Sequence, residues 1–183
     1  MATVVNFILF QVAWFACVLG GARETPWIGP AVVAVVATYH LSRVPNPQAE
    51  LSLLALAAGI GAVFDSALAA TGWLSYPSGQ WHPLLAPYWM GALWVAFATT
   101  LNVSLDWLKG RLRLALAFGA VGGPLAYFAG ARLGGVTFHE PALALTALAF
   151  GWASITPTLV LIATHLDGWR PGAQGRTLAT ATE

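Results

Sequence analysis

Charge is what this sequence has least of. Only 8% of its 183 residues are Asp, Glu, Lys or Arg, against about 25% in a typical soluble domain. That is too few to keep a globule's surface wet, and a net charge of +1 gives no electrostatic basis for binding nucleic acid. Cysteine is nearly missing too. Cys17 is alone, so no disulfide can form within the chain, and a lone apolar-flanked thiol reads as a small packed side chain. No HxxxH, HxxH or CxxC pattern is present, and each of the four histidines stands alone in its segment. The spacing of a zinc or di-iron site is therefore lacking. There is no GxSxG nucleophile motif and no glycine-rich phosphate loop.

What is abundant is apolar sequence: 58% of residues are hydrophobic and mean hydropathy is +0.71. Six apolar stretches stand out, Val4–Gly21, Pro26–Leu41, Leu51–Leu74, Ala86–Leu108, Leu112–Ala131 and Pro141–Leu166. A bilayer core needs about 20 apolar residues per helical crossing, and backbone polar groups cannot stay unpaired in lipid. The expectation is an all-α, polytopic bundle of about six transmembrane helices. It forms one domain over residues 1–169, with a disordered tail over 170–183. The first stretch has no Lys or Arg before it and is interrupted by Asn6 and Gln11, so it reads as a retained helix rather than a secretory signal.

Six crossings put both ends on one side. Arg43, Lys109, Arg111, Arg113, Arg170 and Arg176 then share that side, while Arg23 and Arg132 fall opposite. Cytoplasmic joints carry the basic excess, so both termini are expected in the cytoplasm of a bacterial cell, with the chain in the inner membrane. The longest joint, Gly72–Leu85, is uncharged and rich in proline and aromatics. It reads as an interfacial cap, or as a lid that turns Trp81 and His82 inward. Gly59, Gly61 and the Gly119/Gly123 pair mark close helix contacts, and Pro124 and Pro157 are expected to kink the fifth and sixth helices.

Function is argued from polar groups inside apolar runs. An aspartate at mid-helix costs about 2.5–3.5 kcal/mol on insertion scales, so it faces a partner or a wet cavity. Asp65 is the clearest instance, and it serves as a pocket acid or as an inter-helix clasp. Tyr127, His82, His139, Glu140, Arg132 and the Arg23-Glu24 pair share its depth. Asp65, Tyr127 and His82 form the candidate catalytic set; Trp81, Trp94, Phe97, Phe128, His139 and Arg132 form the candidate binding set. At the opposite depth, Asn102 and Asp106 are four apart on the expected fourth helix, near His40, His165 and Asp167. These read as helix-end caps, with Asp106 paired to Lys109 or Arg111.

A resemblance adds to this. Pro87-Tyr88-Trp89-Met90-Gly91-Ala92-Leu93-Trp94, Phe97-Ala98-Thr99-Thr100-Leu101-Asn102 and Gly119-Ala120-Val121-Gly122-Gly123-Pro124-Leu125-Ala126-Tyr127-Phe128-Ala129-Gly130 resemble a family of small bacterial inner-membrane proteins. It is the domain-of-unknown-function family numbered 2878. Asn6, the run Phe10–Phe15, and Asp65 ahead of an aromatic joint are similar as well. The family has no established activity. Its members often lie in gene clusters that modify membrane fatty acids, so the resemblance implies a lipid-linked role by association and assigns no catalytic residue. The leading expectation is a protein that binds or modifies a lipid or isoprenoid within the bilayer, with membrane lipids as partners. A non-catalytic subunit of a photosynthetic or respiratory type of complex, docked to other integral membrane proteins, is the alternative, and a small transporter the third. The residues name no cofactor and leave open whether a pigment or quinone is held.

Overall fold

The computed structural model describes residues 2–170; the expected tail, apart from Arg170, lies outside them. Six helices follow one another: α1 Ala2–Ala22, α2 Ile28–Arg43, α3 Pro47–Ala70, α4 Tyr88–Leu101, α5 Leu112–Arg132 and α6 Pro141–His165. Their order alternates up and down. One end of the bundle, here the near end, carries His40, Asn102 and Gly168 bonded to Glu50, and Asn6 bonded to Thr99 and Ser104. The far end carries the joints after α1, α3 and α5.

Four helices, α1, α3, α5 and α6, are long and apolar enough to cross a membrane. The other two are shorter. At 1.5 Å per residue, the 16 residues of α2 and the 14 of α4 reach about 24 and 21 Å, less than the roughly 30 Å hydrocarbon core. The reason lies in packing. α4 is the central helix, touching α1, α2, α3 and α6, with Trp89, Met90, Trp94 and Ala96–Leu101 buried. Surrounded by protein, its ends need not reach the water, because irregular backbone at depth is tolerated where other helices cover it.

The expected fourth span is therefore too long. α4 stops at Leu101, and Leu105 and Leu108 belong to a turn and a short 3-10 segment, Asp106–Leu108. Thr99 and Thr100 turn their hydroxyls back onto the carbonyls of Ala96 and Phe97, the local competition that weakens a helix. Asn102 and Asp106 thus do not share a helical face. α3 starts earlier than expected, at Pro47. Asn46 caps it by accepting from the Ala49 amide at 3.3 Å, and proline occupies the first turn, where its missing N–H costs nothing. α5 and α6 run unbroken through Pro124 and Pro157.

At the far end a two-stranded ladder, β1 Leu74–Ser75 with β2 Thr137–Phe138, ties the α3–α4 joint to the α5–α6 joint. The rest of the long joint is pinned by Ser78, whose hydroxyl donates to the Gly21 carbonyl at 2.7 Å and whose carbonyl accepts from Trp89 Nε1 at 3.0 Å. Gly79 beside it holds φ at +88°, a conformation open to glycine. Ser78 and Gly79 make the inward contacts, and Trp81 and His82 face out. Trp81 is 84% exposed and stacks on Tyr88 at 5.6 Å. A lid with those two side chains pointing inward is not what the joint forms.

Candidate functional site

Asp65 lies on the inner face of α3, fully buried. One turn earlier, Gly61 has no side chain, and the space its Cβ would take is filled by the Trp94 indole of α4. The ring thereby lies flat on α3, and its Nε1 donates to Asp65 Oδ2 at 2.7 Å. From α5 the Tyr127 hydroxyl donates to the other carboxylate oxygen in a short hydrogen bond. Three helices thus meet on one carboxylate. Tyr76, just past β1, brings a buried hydroxyl beside Asp65 and Tyr127, with no well-formed hydrogen bond among the described residues. Its burial, and then the neighbouring Asp65 charge, push that phenol well above its ordinary value.

The indole of Trp94 is also one half of a stack. Trp152 of α6 lies over it at 4.5 Å with the planes 16° apart. Behind Trp152 is Gly123 of α5, whose missing side chain makes room for the ring, while Gly119 admits Thr156 in the same way. The sequence Gly61, Trp94, Trp152, Gly123 is therefore a sandwich of two indoles between two glycines, crossing four helices. The Gly119/Gly123 pair is used for packing inside the chain.

This stack forms the wall of a cleft of ≈ 440 Å³ between α1 and α5, with α4 as its floor. Phe10, Trp14, Phe97 and Tyr127 line it together with the two stacked indoles. Phe15 and Leu125, exposed at 45% and 60%, sit at its margins and face where lipid chains would be. Gln11 brings the one side-chain amide to its lining, and it has no hydrogen-bond partner among the described residues. Asp65 itself does not line the cleft. Tyr127 and Trp94 stand between, each lining the cleft and each donating to Asp65.

Of the residues singled out from sequence, Asp65, Tyr127, Trp94 and Phe97 come together. The others do not join them. His82 is exposed and accepts from the Leu84 amide. His139 is exposed and bonds to Ser75 Oγ at 2.8 Å. Arg132 is exposed at the end of α5, and Phe128 is half-exposed on the outer side of that helix.

A second polar centre lies at the near end, where the sequence placed His40, Asn102, Asp106 and Asp167; Glu50, on which it converges, was not among them. Glu50 is fully buried in the first turn of α3. Its carboxylate meets His40 Nε2 at 2.9 Å and accepts from Asn102 Nδ2 at 2.6 Å and from the Gly168 amide at 3.1 Å. Beside it Lys109 bridges Asp106 and Asp167, both at 2.7 Å, so the expected Asp106–Lys109 pair forms. Glu50 was hidden because it precedes the apolar run that marks α3. The Asn46-Pro47 start signal places it inside the helix.

No curated protein and no solved structure matches the chain. A family model described as "Protein of unknown function (DUF2878)" matches residues 3–158, from the start of α1 through most of α6. The chain belongs to that family.

Proposed function

We infer that this membrane protein binds a lipid or isoprenoid from the bilayer in the α1–α5 cleft. The cleft itself carries this reading: ≈ 440 Å³, within the roughly 300–1,000 Å³ of small-molecule sites, aromatic-walled, and bounded by the two helices whose outer faces meet lipid. In this reading Trp94, Phe97 and Trp152 hold the apolar body, and Gln11 and Tyr127 meet the polar part. Asp65 fixes Tyr127 in place. Any proton passed between Asp65 and a ligand would travel by way of Tyr127, which lines the cleft and whose hydroxyl is bonded to Asp65.

The basic residues support an orientation as well. Arg43, Lys109, Arg111 and Arg113 are at the near end and Arg23 and Arg132 at the far end, so the near end belongs in the cytoplasm by the positive-inside rule. The cell's cytoplasmic membrane is the matching location. A docking role for the Gly119/Gly123 face draws no support, because α6 already occupies it.

The test is to purify the protein from its native membrane in mild detergent and identify what it holds by native mass spectrometry. Wild type should retain one lipid or isoprenoid species at near-unit stoichiometry. Ala126→Phe, which fills the cleft between α1 and α5, should lose it while staying folded. A stoichiometric protein partner with no bound lipid would replace this reading with that of a complex subunit.

A further inference from the structure

The cleft does not end at Trp152. A second cavity of ≈ 160 Å³ continues toward the near end of the same seam, lined by Phe7, Thr100, Ser104, Phe118, Gly119 and Gly122. The two chambers share four lining residues, Phe10, Phe97, Ala126 and Trp152. Three of these are aromatic and meet edge to face, Phe10 with Phe97 at 6.5 Å and Phe97 with Trp152 at 5.3 Å. The seam is therefore one groove with a waist. On α1 the lining runs from Phe7 to Val18, eleven steps of about 1.5 Å. That makes roughly 16 Å, about half of the roughly 30 Å core and so the depth of one leaflet.

The chemistry of the lining narrows the occupant. No Lys, Arg, His, Asp or Glu lines either chamber among the described residues. A charged head would stand unpaired there at a cost that excludes it. The polar side-chain groups among the residues lining the wide chamber are the Gln11 amide, the Tyr127 phenol and indole N–H groups, that of Trp152 without a partner among the described residues. All are neutral and suited to a hydroxyl, ester or carbonyl. Beyond the waist the narrow chamber is lined mostly by apolar groups, its Thr100 and Ser104 hydroxyls already bonded to the Phe97 carbonyl and to Asn6, and is suited to hydrocarbon.

The geometry points to a single extended hydrocarbon tail, borne by a neutral head, threading from the wide chamber past Phe10, Phe97 and Trp152 into the narrow one. Those three side chains set how far the tail runs, and so select its length. This rests on the lipid-binding reading above and adds the ligand's class and the residues that measure it.

Two substitutions move the ruler in opposite directions. Phe10→Ala opens the waist. Gly122→Leu fills the narrow chamber from a helical position where an added Cβ meets only Phe118, at 4.0 Å, so the bundle has room for it. Purified wild type and both variants are offered an equimolar homologous series of straight-chain monoacylglycerols, and the bound fraction is read by native mass spectrometry. Phe10→Ala should shift the preferred chain longer and Gly122→Leu shorter. Each shift should be roughly tenfold in relative occupancy, the lower end of what a hydrophobic pocket shows for one methylene. Loaded wild type and loaded variants with the same length distribution would overturn the ruler and leave lipid binding standing. Wild type that takes up no member of the series and carries no native lipid would overturn both.

Discussion

Replacing Glu50 by alanine removes the acceptor on which donors from α2, from the turn after α4 and from the segment after α6 converge. His40 Nε2 and the Gly168 amide are left without their partner, whereas Asn102 Nδ2 keeps the Leu166 carbonyl at 3.1 Å. Each orphaned buried group costs about 1–3 kcal/mol, and removing one member of a buried pair costs about 3–5 kcal/mol overall. Two orphaned groups come to about 2–6 kcal/mol, which brackets the second range, so Glu50→Ala should destabilise the bundle by about 3–5 kcal/mol. Glu50→Gln separates charge from connectivity. Its amide oxygen can still accept from Asn102 and Gly168, and its NH2 can donate to His40 Nε2 once the imidazole carries its proton on Nδ1. The glutamine variant should therefore lose only about 1 kcal/mol. The assay is reversible unfolding of the purified protein in mixed micelles of rising denaturing-detergent fraction, followed by tryptophan fluorescence. An alanine variant within about 1 kcal/mol of wild type would refute the reasoning, as would a glutamine variant as damaged as alanine.

Other outcomes follow from the same geometry. Asp65→Asn keeps one acceptor oxygen for two donors; with that oxygen on Trp94 Nε1, Tyr127 can accept from the new amide but its own O–H loses its acceptor, and the same titration should read a loss of about 1–3 kcal/mol. Tyr76→Phe deletes a buried hydroxyl with no well-formed hydrogen bond among the described residues; the variant should be as stable as wild type or more so by about 1 kcal/mol, and a loss of about 1 kcal/mol or more would reveal a bond to this hydroxyl, with Tyr127 the neighbour in reach. Gly61→Leu and Gly123→Leu each drive a side chain into a stacked indole and should fail to accumulate in the membrane. Gly59→Leu, where an added Cβ meets nothing within 4 Å, should express like wild type, and immunoblots of membrane fractions compare the three.

Much of the helical layout was legible because apolar length is a strong signal, and the depth shared by Asp65 and Tyr127 followed from counting along their helices. What the residues hid was direction. Trp81, His82, His139 and Arg132 lie near the same level, but nothing in their spacing tells whether a side chain at a joint turns in or out. Gly61 and Gly123 were visible as packing glycines. Their partners were not, since the indoles that fill them come from helices distant in sequence. The end of α4 was missed for another reason: Leu105 and Leu108 keep the stretch apolar past the point where Thr99, Thr100 and Asn102 have begun to compete for the backbone.

The bond between Gly168 and Glu50 spans 118 residues, which has a consequence for how the chain is made. Elongation delivers Glu50 early, at the start of the third helix, while the amide that completes its shell is among the last parts of the bundle to be synthesised. The Asn46 amide likewise donates to the Gly168 carbonyl, so a short stretch beyond α6 closes a joint formed more than a hundred residues before it. Until then the acidic group must stay near water at the membrane face or be held by His40 and Asn102 alone. α3 can therefore complete the hydrogen bonding at its start only when translation of α6 is over. A ribosome stalled just before Gly168 should leave an intermediate whose first three helices are inserted but still open to the cytoplasmic side of the bilayer in the orientation inferred above.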